Sequence, residues 1–222
     1  AVGNVPFGNY KVSDKPYDKL GFSIHNYFFA KALDQVRPGG VVAFVTSRYT
    51  MDSKNSDARR YLAQRAELLG AIRLPNDAFK KNAGTEVVSD IIFLQKRDHP
   101  IDIVPDWVHL NRTEEGHTMN SYFVDHPEMV LGQMQEVSGP YGMETACIPQ
   151  KGQGLESLLT AAIGQIQGEM QNVDLDDLPV EEADTLPADP SVRNFSFAVV
   201  DGKLYFRENS RMDPVSVSAT AE

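Results

Sequence analysis

Residues 37–46, Arg37-Pro38-Gly39-Gly40-Val41-Val42-Ala43-Phe44-Val45-Thr46, decide how the first half of the chain is read. Proline removes a backbone donor and the paired glycines permit a left-handed turn, so a preceding helix must stop here. The apolar run 41–46 that follows has the character of a strand buried on both faces. Upstream, residues 23–37 (SIHNYFFAKALDQVR) predict an amphipathic helix, with Ser23 as N-cap and Ile24, Tyr27, Phe28, Leu33 and Val36 near helical spacing. Downstream, residues 56–67 predict a second helix capped by Ser56, with Ala58, Tyr61, Leu62 and Leu69 toward the core. Residues 69–74 (LGAIRL) and 87–95 (VVSDIIFLQ) predict two further strands. Turn, helix, buried strand, helix, strand, loop, strand is an α/β order, and ligands of such sheets sit at the carboxyl ends of strands.

The turn that opens this order is Asn4-Val5-Pro6-Phe7. A side-chain amide oxygen and a neighbouring backbone carbonyl can accept both hydrogens of an exocyclic amine, which concentrates the nitrogen lone pair. An adjacent ring can stack on a base that has left its duplex. Such chemistry needs positioning and acceptors, with no metal and no covalent intermediate. Gly3, Asn4, Pro6, Gly8 and Asn9 equally suit a plain surface turn, so the tetrapeptide in isolation leaves both readings open.

As an ordered set, these segments resemble the N6-adenine DNA methyltransferases whose cofactor motif precedes the catalytic turn. Asn4-Val5-Pro6-Phe7 looks like their Asn-Pro-Pro-Tyr/Phe motif. The helix into Arg37-Pro38-Gly39-Gly40 and strand 41–46 look like the segment that follows it. Leu74-Pro75-Asn76 through Phe79 to Gly84-Thr85 and strand 87–95 are similar to their later loop and strand. The likeness covers about residues 3–97. It implies an α/β fold forming the second half of a Rossmann-like methyltransferase sheet. It also implies a DNA adenine-N6 methyltransferase activity by direct methyl transfer to a flipped adenine, with S-adenosylmethionine as cofactor and DNA as partner. In that likeness the Asn4 side-chain oxygen accepts one N6 hydrogen and the Val5 carbonyl the other, Pro6 stiffens the turn, and Phe7 stacks on the base. The chain departs from the motif at Val5, where proline is usual; Pro6 still biases Val5 toward extended geometry.

No Gly-rich S-adenosylmethionine loop occurs upstream of the turn or later in the chain. The expectation is therefore a fragment lacking the cofactor loop, with little activity in isolation. Tyr122 to Gly132 resembles a region of large mobile-element proteins that join an adenine methylase to a helicase. That resemblance implies partners within a larger polypeptide carrying the cofactor-binding and helicase parts. The alternative is a non-catalytic DNA-binding or scaffolding module that retains a methylase-like sheet.

Charge is unevenly placed along the 222 residues. Residues 1–98 carry 15 Lys+Arg against 10 Asp+Glu, whereas the remainder carries 6 against 21. The methylase-like part is thus basic although the whole chain has a net charge of −10. Lys11, Lys15 and Lys19 near the turn, and Lys80, Lys81 and Asn82 before the last strand, are candidate phosphate contacts or an ordinary solvated surface. A single cysteine, Cys147, excludes an internal disulfide and fits a reducing cytosol. No apolar run approaches the roughly 20 residues that span a bilayer. His109, His117 and His126 match no metal-ligand spacing, so no metal is expected.

Four segments are expected: an α/β catalytic half at 1–98, a smaller α+β extension at 99–171, an acidic linker at 172–192, and a β-hairpin with a disordered tail at 193–222. In the extension, Trp107-Val108-His109-Leu110 suggests a short strand, Tyr122 to Leu131 a turn into a brief helix, and 154–171 a packed helix. The linker holds seven acidic residues and three prolines with no basic residue, a composition that cannot offset ordering entropy. Asp201-Gly202 between two apolar runs is the hairpin signal.

Overall fold

The computed structural model describes residues 1–8, 10–80, 87–139, 142–168, 186–208 and 211–215. The chain divides into two compact units, Ala1–Gln171 and Asn172–Glu222.

The first unit is built on strands β1 (Val2–Asn4), β2 (Val41–Ser47), β3 (Ala66–Leu74) and β4 (Ser89–Lys96), in the spatial order β1-β2-β4-β3. β1 runs parallel to β2, pairing Asn4 with Val45. β4 runs antiparallel to both its neighbours, pairing Thr46 with Asp90 and Arg73 with Asp90. Helices α1 (Lys15–Asp18), α2 (Ile24–Gln35), α3 (Tyr49–Asp52) and α4 (Asp57–Arg65) occupy the connections. The sheet is thus a mixed α/β sheet.

Expected and observed elements differ instructively. α2 buries Ile24, His25, Asn26, Phe29, Ala30 and Leu33, so the inward stripe lies one position round from Tyr27, Phe28 and Val36, which are half-buried. Phe29 draws the helix to the sheet by packing on Phe44, ring centroids 5.1 Å apart. β2 alternates fully buried Val42, Phe44 and Thr46 with half-buried neighbours, so only one of its faces is sealed. β3 starts three residues before the expected Leu69 and carries a bulge between Leu68 and Gly70. The absent side chain at Gly70 makes room for neighbours: a Cβ there would lie 3.1 Å from Ile166 and 3.2 Å from the Tyr122 hydroxyl. Pro38-Gly39-Gly40 is held by pairing with Lys96, the Gly39 N–H donating to its carbonyl at 2.8 Å, with Gly39 at φ 69°.

The boundary expected at 98/99 does not separate compact units. The extension contributes β5 (Leu110–Arg112), β6 (Thr118–Asn120), α5 (Ser121–Asp125), β7 (Gly132–Gly139), β8 (Gly142–Pro149) and α6 (Leu155–Ile163). Trp107, Val108, Met119, Phe123, Met129, Leu131 and Ala162 bury into the same apolar cluster as Phe29, Phe44, Ile72 and Leu94. The expected strand at 107–110 is a 3-10 turn at Asp106–Val108 leading into β5. The expected helix 154–171 is helical only to Ile163 among its described residues, closed by Gly164.

The second unit is a four-stranded antiparallel sheet of β9 (Leu186–Pro187), β10 (Phe197–Val200), β11 (Lys203–Glu208) and β12 (Arg211–Pro214), ordered β10-β11-β12-β9. The Asp201-Gly202 turn has positive φ at both residues, 49° and 81°, as a two-residue hairpin requires. The hairpin is not alone, however. β12 arises from the segment read as a disordered tail and β9 from the segment read as a linker. Pairing satisfies the free edge of β11 and buries Tyr205 and Met212, which a two-stranded ribbon leaves in water. Residues 172–185 and 216–222 lie outside the described residues.

Candidate functional site at the end of the first sheet

Asn4 is the last residue of β1, and its side chain is exposed. Val5, immediately beyond, is 6% exposed and its N–H donates to the Val45 carbonyl at 3.0 Å. That bond extends the parallel ladder one step past the strand and aims the turn off the carboxyl ends of β1 and β2. No hydrogen bond among the described residues engages the Asn4 carboxamide or the Val5 carbonyl. Pro6 is half-buried and Phe7 exposed. The structure therefore brings the four turn residues to the strand tips, with Asn4 and Phe7 exposed and Val5 buried.

Phe7 borders two cavities, of about 580 and 390 Å3, which also share Ser47 and Tyr49. Tyr49 opens α3 and is more than half exposed, with the Arg48 guanidinium 5.0 Å from its ring centroid. The turn thus stands at an aromatic ridge between two openings.

Lys11, Lys15 and Lys19 are exposed on the segment that follows the turn. That segment is pinned to α2: Asp14 accepts from Lys31 at 2.6 Å and from the Tyr27 hydroxyl at 2.8 Å, while the Tyr17 hydroxyl donates to Asp34 at 2.5 Å. The hydrogen bond from Lys31, with that from Tyr27, holds the Asp14 carboxyl below its ordinary range. Lys80 is exposed near the end of the Pro75 loop; Lys81 and Asn82 lie outside the described residues. Among the described residues no group of three His, Cys, Asp or Glu side chains is placed to hold a metal ion, and no helix is long and apolar enough to cross a membrane.

Sequence reasoning did not anticipate the polar centre beside this site. Arg73 is fully buried and grips Asp90 with two hydrogen bonds, Nε to Oδ1 at 2.8 Å and Nη2 to Oδ2 at 2.9 Å. Its Nη1 lies 2.8 Å from Asp52 Oδ2, an ion pair whose alignment falls short of a hydrogen bond. Burial by itself would lower the Arg73 pKa, but Asp90 and then Asp52 hold it above the ordinary arginine value. Asp52 also accepts the Asn120 N–H at 3.0 Å, and the Asn120 amide donates to the Met51 and Trp107 carbonyls. A charge inside each of two otherwise apolar strand runs, Arg73 in LGAIRL and Asp90 in VVSDIIFLQ, was the available signal. His25 and Asn26, both buried on α2, were likewise read past.

No protein-family model matches the chain. It is similar to the Defense against restriction protein B of Escherichia phage P1, 33% identical over 142 residues. The match covers 62% of this chain, and the chain spans 6% of that protein's length. Two solved structures are similar to part of the chain. One, from Listeria monocytogenes, is assigned as a class I S-adenosylmethionine-dependent methyltransferase: 21% identity, 47% of this chain and 32% of that one, TM-score 0.34. The other is assigned as a modification subunit of a type I restriction enzyme from Vibrio vulnificus YJ016: 18% identity, 71% of this chain and 39% of that one, TM-score 0.36.

Proposed function

We propose that this chain carries the base-holding turn of an S-adenosylmethionine-dependent DNA adenine-N6 methyltransferase and works within a larger polypeptide. One observation carries the reading. At the tip of β1, the exposed Asn4 amide and the unengaged Val5 carbonyl stand beside the exposed Phe7 ring. Adenine reaches such a site only after leaving the duplex. Asn4 Oδ1 and the Val5 carbonyl then accept the two N6 hydrogens, and the ring of Phe7 covers the face of the base. Holding both hydrogens localises the N6 lone pair, which is otherwise delocalised into the purine. Acceptors fixed before the reaction cost no reorganisation when it occurs.

Among the described residues no strand runs through a Gly-rich loop into a helix, so the residues around the turn do not fit S-adenosylmethionine as its binding surface. The roles assigned to this chain end at the base. Lys11, Lys15 and Lys80 contact backbone phosphates in this reading; Lys81 and Asn82, outside the described residues, are proposed for the same role.

The test is methyl transfer from labelled S-adenosylmethionine to adenine-containing DNA, measured on the whole polypeptide that bears this segment. Asn4→Ala should lower transfer about 100-fold or more, the loss expected for one fixed polar partner of a reacting group, with DNA affinity unchanged. Equal turnover by variant and parent removes Asn4 from the mechanism. DNA binding should weaken steeply with salt, and replacing Lys11 and Lys15 together by Ala should flatten the log–log slope by about 2. An unchanged slope removes those two contacts.

A further inference from the structure

Phe7 is one of three residues common to the two cavities beside the turn; Ser47 and Tyr49 are the others. Tyr49 follows the end of β2 by two residues, and it is 56% exposed. The Arg48 guanidinium lies over its ring, the central carbon 5.0 Å from the centroid and Nη2 3.5 Å from the hydroxyl. Arg48 borders the smaller cavity, of about 390 Å3. No carboxylate lies within ion-pair distance of Arg48 among the described residues.

Backbone bonds hold the pair in place. The Arg48 N–H donates to the Val88 carbonyl at 3.3 Å, and the Tyr49 N–H to Ser47 Oγ at 3.3 Å. The Arg48 carbonyl accepts the Met51 and Asp52 N–H groups, and the Thr50 and Met51 side chains are buried. A pair of arginine and aromatic ring occurs about once per 70–80 residues of folded protein, so the pair alone is ordinary. Its place is not. It stands three residues beyond Val45, whose carbonyl anchors the Asn4 turn, in the half of the chain where Lys and Arg outnumber Asp and Glu.

We propose that Arg48 and Tyr49 hold a second nucleotide of the DNA strand, next to the one whose base Phe7 covers. The Tyr49 ring stacks on the second, unpaired base, and Arg48 pairs with a backbone phosphate. Aromatic stacking combined with cations along the backbone is how single strands are held without sequence preference. Glu144, exposed on β8, borders the same smaller cavity and repels phosphate, so the backbone passes on the Arg48 side. The inference rests on the proposed function for the neighbouring base at Phe7.

The experiment is fluorescence anisotropy of the whole chain with two labelled probes of about 12 nucleotides at about 50 mM salt. One is single-stranded oligodeoxyadenylate; the other is an abasic strand with the same phosphates and no bases. Tyr49→Ala should weaken the adenylate strand about tenfold, the worth of one stacked base, and leave the abasic strand unchanged. Tyr49→Phe, which keeps the ring, should bind both strands like the parent. Arg48→Gln should weaken both and flatten the log–log salt slope by about 0.7, the share of one phosphate on a single strand. Combining Phe7→Ala with Tyr49→Ala should multiply the two single losses, because rings on separate bases act independently.

Four results overturn the inference. The first is no saturation of the parent by about 100 μM, the weak limit of non-specific binding. The second is a Tyr49→Ala loss that is absent, or equal on the two strands. The third is a parental salt slope in Arg48→Gln. The fourth is a double loss no larger than the greater single loss, which puts both rings on one base. Methyl transfer that depends on Asn4, with no effect at Arg48 or Tyr49, sinks this site and spares the transfer reading. Transfer indifferent to Asn4→Ala, with the strand results as expected, sinks that reading and leaves this site standing.

Discussion

The Asn4 turn and the Arg73 centre sit at the same end of one sheet. Asn4 pairs with Val45, Thr46 pairs with Asp90, and Asp90 pairs with Arg73. On the β3 side, the extension closes over the polar groups: Leu131 N–H donates to the Arg73 carbonyl, Asn120 binds Asp52, and Phe123 lies 4.3 Å from the guanidinium carbon. On the β1 side, the Asn4 amide stays exposed and unengaged among the described residues. Polar groups placed alike along the strands thus have opposite fates. A charge sealed from water must be matched by partners, or the desolvation cost is unopposed. An amide left in water carries no such cost and remains available to a ligand. The first arrangement is closed by its partners and the second stays open to water.

The largest expected effect tests the sealed half. Arg73→Met leaves Asp90 and Asp52 buried without their cation and should cost about 3–5 kcal/mol in urea denaturation. Combining it with Asp90→Leu should recover part of that loss, because a matched apolar pair lacks the desolvation cost. A loss under about 1 kcal/mol would place the pair with exposed ion pairs. The open half should behave oppositely. Asn4→Ala, which removes methyl transfer in the proposed function, should change folding stability by no more than about 0.5 kcal/mol. A larger loss would make Asn4 a structural residue and erase the contrast.

Val5 joins the two behaviours, since its N–H belongs to the ladder and its carbonyl has no hydrogen-bond partner among the described residues. Val5→Pro, the residue usual in the resembling motif, deletes the bond to Val45 and should cost about 1 kcal/mol. A rise in melting temperature would show that ring rigidity outweighs the lost bond. The smallest effect concerns His25. Burial lowers its pKa from the ordinary 6.5, so the unfolded chain binds the proton more readily than the folded one. Its neutral form contributes stability that is present above pH 6.5 and is lost as pH falls below it. Between pH 7 and pH 5 the parent should lose more stability than His25→Phe. Parallel profiles would place His25 in contact with water.

Much of the first unit's order was legible from residues 37–46 outward, because Pro-Gly-Gly punctuation and apolar runs act over a few neighbours. The Asp201-Gly202 hairpin was legible for the same local reason. The inward stripe of α2 was misplaced by one position, since His25 and Asn26 look like surface residues and the fold buries them. β9 and β12 went unread because each is only two or four residues long and takes strand form only through its partner. The Asn4 turn could be named from its residue types, but its exposure could not, since that depends on where β2 ends beside it.

The amino-acid order by itself determined the α/β succession, the helix stop at Pro38, the basic and acidic halves, and the residue types of the Asn4-Val5-Pro6-Phe7 turn. Tertiary structure alone decided that 99–171 shares a core with the sheet, that Arg73 meets Asp90 and Asp52, and that His25 and Asn26 are buried on α2. The physical reason is range. Turns and periodicities are set by residues a few positions apart, whereas burial and charge pairing are set by residues that meet only after folding.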